Sequence, residues 1–371
     1  MPERTRQPDA GRDQIADDAP VRGRRRRFLR GVAWGAAGLA GLVLFAATTT
    51  AILDAVDRRR VLPPGDLIEL SDGRRLHLDV AGASVSTAAP DRPTVVLEAG
   101  SGGFAASMAW LQRELAAHAT VVAYDRAGYG FSDPDDRPLA AATVADDLHE
   151  ALQHRGLDGP VVLVGHSLGG GYVRVFAARH PAEVAGLVLL DPVHEEQLER
   201  QPAEVTAALE EAERQLAVAP LLARLGVFRV VDVQAAIVEA LPEDAGEQHR
   251  ARSVTAAGMR AYHREVAGLP ALLDEIARTE EAAAVGTFGD LPVLVVSASE
   301  PGEGESPAAR ATMDTLHREL AARSPAASHV TVAGADHLSL VTDADHAAEV
   351  AALVRSFIED RNGSAAPTPG S

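Results

Sequence analysis

The residues best suited to chemistry in this 371-residue chain lie in Gly165-His-Ser-Leu-Gly169, where the apolar run Val161–Val164 stops and a helical pattern begins. A serine on a sharp turn between strand and helix has its hydroxyl lifted clear of the sheet, provided the residues two before and two after it lack side chains. Gly165 and Gly169 meet that demand, and Tyr172, Val173, Phe176 and Ala177 follow at helical spacing. Ser167 is therefore the candidate nucleophile. The same turn aims the Leu168 N–H, and the positive end of the following helix, at the place where an oxyanion would develop.

A serine hydroxyl needs a base within hydrogen-bond reach and a carboxylate to hold that base's tautomer. Of the thirteen histidines, position selects His337, in Val332-Ala-Gly-Ala-Asp-His337, where a loop leaves the last strand-like run before the final helix. His166 adjoins the serine but projects elsewhere on a tight turn, so it is expected to pack beneath it. His77, His118, His149, His154, His180, His263 and His317 are assigned to helix or strand surfaces. Two carboxylates sit at strand ends in the right chain order: Asp191 directly after GLVLL, and Glu300 in the Pro/Gly-rich loop after VLVVSAS. Asp191 is the first choice and Glu300 the alternative. The second oxyanion donor is expected from Glu98-Ala-Gly-Ser-Gly-Gly103, whose glycines permit close backbone approach; Ser101 N–H is the nominee and Gly102 the next. Asp125 and Arg126 read as a structural ion pair that fixes neighbouring loops. No histidine pair has HExxH spacing and there is no cysteine, so no metal is expected.

These residues need a sheet to bring them together. Leu67–Leu70 and Arg75–Val80 flank a Ser-Asp-Gly turn and read as an opening hairpin. Thr94–Leu97, Thr120–Tyr124, Val161–Val164, Gly186–Leu190, Val293–Val296 and His329–Val332 are near-continuously apolar, the mark of parallel strands buried on both faces. Helices are predicted over Met108–His118, Val144–Arg155, Gly170–His180, Thr312–Ala322 and Ala344–Asp360. The fold class is thus α/β: a mostly parallel eight-stranded open sheet with its site outside the strands' carboxyl ends. Residues 193–290 interrupt the alternation with helix-forming sequence and read as a helical cap over that site; residues 60–192 and 291–360 form the core around it.

The net charge of −18 argues against a nucleic-acid partner. Positive charge concentrates instead at Arg22, Arg24, Arg25, Arg26, Arg27 and Arg30, just before twenty-three uncharged residues, 31–53. At 1.5 Å per residue that run crosses a hydrocarbon core of about 30 Å. Arg58, Arg59 and Arg60 on its far side are partly offset by Asp54 and Asp57, so the charge asymmetry predicts a cytoplasmic N-terminus and an extracytoplasmic catalytic body anchored in the cell membrane. The alternative is export by a twin-arginine signal, which Arg25-Arg26-Arg27-Phe28-Leu29-Arg30 resembles. Residues 1–30 and 361–371 are polar and are expected to be disordered.

LEAGSGG, YDRAGYGFSDP, LVGHSLGG, ARHP, GLVLLDPVHE and GADH together resemble the α/β-hydrolase superfamily over about residues 60–360, and most resemble bacterial membrane-anchored serine hydrolases with a helical cap. The resemblance implies a serine nucleophile, a late histidine, no cofactor, and hydrolysis of carboxylic esters or related acyl bonds in a small-molecule substrate. Acyl transfer on the same residues, or a catalytically silent binding domain displayed at a membrane, are the other readings. Two departures stand out. Glu98-Ala-Gly replaces the family's usual His-Gly, and its common Asp after the seventh strand is not at the expected offset, which leaves Asp191 and Glu300 in competition.

Overall fold

The computed structural model describes residues 19–82, 93–157, 159–283 and 288–364. Its eight strands are β1 (Asp66–Glu69), β2 (Arg75–Ala81), β3 (Thr94–Glu98), β4 (Thr120–Tyr124), β5 (Val161–His166), β6 (Val184–Leu190), β7 (Val293–Ala298) and β8 (Ala327–Val332). They form one sheet in the order β1-β2-β4-β3-β5-β6-β7-β8. β2 runs antiparallel to both β1 and β4, and the remaining pairs are parallel. The hairpin closes through Gly73, whose φ of +84° suits a residue without Cβ.

Continuous apolar strands still obey a period of two. Val96, Val122, Leu163, Leu187 and Val295 point into one core, while Val95, Val121, Val162, Val188 and Val296 point into the other. α3 (Ala141–Arg155) and α4 (Leu168–Arg179) cover the first face; α2 (Ala109–Ala116) and α12 (Ala344–Ser364) cover the second. α10 (Pro307–Ala321) starts five residues before the apolar periodicity that predicted it, because Ser306 accepts the Ala309 N–H as a cap and Pro307 suits the first turn.

Between β6 and β7 the chain forms α5 (Gln197–Arg200), α6 (Ala203–Arg224), α7 (Ala235–Ala240), α8 (Glu243–Arg252) and α9 (Ala256–Ala282), with no strand among the described residues there. α9 joins the core directly through Leu272, Leu273 and Ile276. A buried ion pair adds a second tie: Arg174 of α4 bonds Glu280 of α9 at 2.6 Å and Glu195 at 2.9 Å.

α1 (Ala19–Arg60) is one helix of 42 residues. Residues 19–30 are therefore its first turns rather than the disordered segment the sequence suggested; Pro20 stands at its start, where a missing N–H costs nothing, and arginine is a good helix former. Residues 1–18 lie outside the described residues. Between Arg25 and Arg60 the helix is long and apolar enough to cross a membrane: an 18-residue stretch of it has a mean hydropathy of 1.9 and is only 6 % buried. At the other end α12 runs on to Ser364, so residues 361–364 are helical too, and 365–371 lie outside the described residues. α11 (Ser339–Thr342) is a single turn between β8 and α12.

Candidate active site

Ser167 occupies the turn between β5 and α4 with φ +55° and ψ −122°, a conformation that side chains rarely adopt. Packing rather than φ explains its flanking glycines. A Cβ on Gly165 would lie 2.5 Å from the Gly169 carbonyl oxygen, and one on Gly169 would lie 2.5 Å from the Glu98 carbonyl oxygen. The Ser167 N–H donates to Leu190 O at 2.9 Å, and its own carbonyl accepts from Gly170 and Val193, so neighbouring backbone holds the turn.

His337, in the loop after β8, has Nε2 3.0 Å from Ser167 Oγ and Nδ1 2.6 Å from Asp191 Oδ2. The structure thus brings together one hydroxyl, one imidazole and one carboxyl from three strand ends. With Asp191 ionised, Nδ1 carries the ring proton and the Nε2 lone pair faces the hydroxyl. Asp191, at the end of β6 with φ +43°, accepts further bonds from Ala298 N–H at 3.1 Å and Arg310 Nη1 at 2.8 Å. Burial alone would raise its pKa; the His337 bond and the positive charges around it outweigh that and hold it well below the usual carboxylate range. Glu300 is not in this group: among the described residues its carboxylate meets the neighbouring Ser299 hydroxyl, at 3.2 Å in an exposed loop.

His166 lies buried beneath the turn and its Nε2 contacts the His337 carbonyl at 2.8 Å, which ties the two loops. Desolvation and the adjacent His337 push its pKa down to about 3, so it stays neutral. Leu168 is the first residue of α4, and its N–H is one of the helix's unpaired amide donors. Of the two nominees in the opposing loop, Gly102 N–H is already engaged, 3.3 Å from both Tyr129 Oη and Glu265 Oε2. Ser101 and Gly102 line the same cavity as Ser167 and His337, about 200 Å³ in volume, with Tyr262 and Met259 of α9 on its far wall.

Two sequence assignments require correction. Asp125 and Arg126 do not pair with each other: Asp125 bonds His77 Nδ1 at 2.9 Å and the Ala105 and Phe131 N–H groups, because these backbone donors converge on it at the end of β4. Arg126 instead bridges Glu98 at 2.7 Å and Glu265 of α9 at 2.9 Å. Burial opposes its charge, yet two carboxylates outweigh the cost and raise its pKa. Secondly, His77 and His317 are fully buried rather than on surfaces. His317 contacts Pro192 O and Ser297 Oγ, both at 2.8 Å, behind Asp191.

Sequence reasoning missed Glu265 altogether. It accepts from Arg126, from Ser101 Oγ at 2.9 Å and from Tyr129 Oη at 2.7 Å, so one carboxylate of the helical segment braces the loop opposite Ser167. Its only sequence signal is an acid on the apolar face of an amphipathic helix. One group of possible metal ligands occurs among the described residues, His149, His180 and Glu183, with ligand atoms within 4.8 Å. The two imidazoles stack at 3.9 Å and 10°, so their in-plane lone pairs run side by side and do not converge on one ion.

Residues 93–230 match the family model for the alpha/beta hydrolase fold. The fold is thus the α/β-hydrolase fold. It is 33% identical over 153 residues to an uncharacterised protein of Schizosaccharomyces pombe, covering 34% of this chain and 28% of that one. It is 44% identical over 72 residues to the lipase LipV of Mycobacterium tuberculosis, covering 19% of this chain and 27% of that one. The chain therefore matches only about a quarter of the length of these curated relatives. Among solved structures it is similar to a variant of a candidate epoxide hydrolase from Pseudomonas aeruginosa, with a TM-score of 0.60, 20% identity, and coverage of 82% of this chain and 98% of that one.

Proposed function

We propose that this protein is a serine hydrolase that cleaves carboxylic ester or related acyl bonds in a small-molecule substrate through an acyl-enzyme. The observation that carries the reading is the continuous path of hydrogen bonds from Ser167 Oγ through both ring nitrogens of His337 to Asp191. Ser167 Oγ attacks the acyl carbon while its proton passes to His337 Nε2. The resulting imidazolium is held by Asp191 and returns the proton to the departing alcohol. Water, deprotonated by the same nitrogen, then attacks the acyl-enzyme; as the bond to Ser167 Oγ breaks and the acid leaves, His337 returns that proton to Oγ. The negative oxygen of each tetrahedral intermediate is assigned to the N–H groups of Leu168 and Ser101, the first of them at the positive end of α4. Serine at the turn favours this chemistry over the aspartate-nucleophile route of dehalogenases and epoxide hydrolases. α5–α9 act as a cap that shapes the acyl site, and α1 anchors the catalytic body outside the cytoplasm.

Ser167→Ala is expected to lower turnover of a p-nitrophenyl ester by about three orders of magnitude or more, without changing the melting temperature, and to abolish labelling by a fluorophosphonate probe. Wild-type turnover in the variant would sink the assignment.

A further inference from the structure

Away from α1, most of the exposed large apolar side chains belong to one short stretch of the helical segment: Val218 and Leu221 near the end of α6, then Val230, Val231 and Val233 just after the turn at Val227–Arg229. Val230 is 87 % exposed. Several apolar side chains left in water at one edge imply that something covers them.

Their height relative to α1 says what that is. Gly226 packs so closely on α1 that a Cβ there would lie 2.5 Å from Thr50 Oγ1. Arg229 Nη2, one turn later, bonds Asp54 at 2.5 Å and Asp57 at 2.7 Å. The turn is therefore pinned to α1 where the uncharged run 31–53 gives way to charge. If that run fills the hydrocarbon core, residues 226–233 stand at the membrane–water boundary, where apolar side chains bury themselves about 5–10 Å deep. The polarity of α6 agrees. Glu204, Glu210, Glu211 and Glu213 occupy its first half, and Glu204 meets Ser306 at the start of α10, so the acidic end lies on the body and the apolar end beside α1.

The same boundary holds a cavity of about 330 Å³ lined by Asp54, Asp57, Phe228, Val233 and Gln234. Gln234 also lines the cavity that contains Ser167. One residue thus borders both the space beside α1 and the space at Ser167.

We propose that the edge formed by Leu221, Val230, Val231 and Val233 is seated in the bilayer interface beside α1, and that the acyl substrate is a membrane-borne amphiphile entering past Gln234. The seat rests on α1 crossing a bilayer; the entry route rests in addition on the serine-hydrolase reading above.

The chain has no cysteine, so Val230→Cys carries a single thiol for an environment-sensitive fluorophore, and Arg318→Cys, exposed on α10, serves as the control. In full-length protein reconstituted into phosphatidylcholine vesicles, brominated lipids should quench the label at 230 about threefold more than at 318, because only the former reaches the acyl boundary. Equal quenching at the two sites would overturn the seat and point to a second copy or a protein partner over this edge. In the same vesicles, Val230→Glu combined with Val231→Glu should lower turnover of a long-chain ester about tenfold while leaving a short soluble ester within about twofold, since charge at the interface opposes seating but not chemistry. Equal loss on both esters would overturn membrane entry. Should Ser167→Ala leave both esters turning over, the serine reading fails, while the quenching result still decides the seat.

Discussion

The end of β6 and the loop after β7 each offer a carboxylate in the correct chain order, and the molecule treats them in opposite ways. Asp191 is buried, turns back with positive φ, and is gripped by Ala298 N–H, Arg310 and His337. Glu300 stands two residues beyond its strand, exposed, with a neighbouring serine as partner. The difference shows that a strand end alone does not bring a carboxylate to an imidazole. What matters is whether the fold supplies fixed donors for every lone pair, so that the carboxylate stays ionised and the ring bonded to it stays in one tautomer.

The sharpest way to break this comparison is to exchange each acid for its amide. Asp191→Asn should lower kcat by about three to four orders of magnitude, because an amide can donate to Nδ1 and stabilise the wrong tautomer; a loss under tenfold in steady-state assays would remove Asp191 from the role. Next in size is Arg310→Met, which leaves Asp191 buried with one charged partner fewer. It should cost on the order of 3 kcal/mol in chemical denaturation, and no loss would mean that the buried pair contributes nothing.

A third test uses pH. Burial lowers the pKa of His317, behind Asp191, to about 4 against an ordinary 6.5. The unfolded chain therefore takes up this proton first as pH falls. The stability that depends on a neutral ring is complete above 6.5 and is lost between 6.5 and 4, by up to about 3 kcal/mol. His166 and His249, lowered to about 3 and about 4, act in the same direction. His317→Gln should make the fall in unfolding free energy from pH 7 to 4.5 measurably shallower, and an unchanged slope would contradict its burial as a neutral ring. Smallest of all, Glu300→Gln should leave turnover within about twofold. A large loss there would restore Glu300 as the acid.

How much of this could be read from the chain depends on the range over which each requirement acts. The turn at Ser167 is legible because its demands fall within five residues: a strand before, a helix after, and two glycines where any Cβ would meet backbone. The eight strands are legible for the same reason, since apolar runs and their spacing are local. His337 follows from its place after the last strand. Which of Asp191 and Glu300 meets His337 does not, because the grip on Asp191 includes Arg310, 119 residues away and on another element. Adjacency in the chain suggests Asp125 as the partner of Arg126, whereas its partner Glu265 is 139 residues away. No local pattern marks which buried arginine will meet which distant acid. Helix ends erred where capping chemistry outran periodicity, as at Ser306, and where an arginine-rich segment continued an apolar helix instead of fraying.

Glu265 ties α9 to the sheet's loops. Because this carboxylate belongs to α9 and yet braces the Ser101 loop and Arg126, the helical segment cannot be exchanged as an independent module. A chimera that grafts another protein's helices between β6 and β7 would strand Arg126 beside Glu98 alone and slacken the loop opposite Ser167. Transplants meant to change substrate choice will need Glu98, Arg126 and Glu265 to travel together.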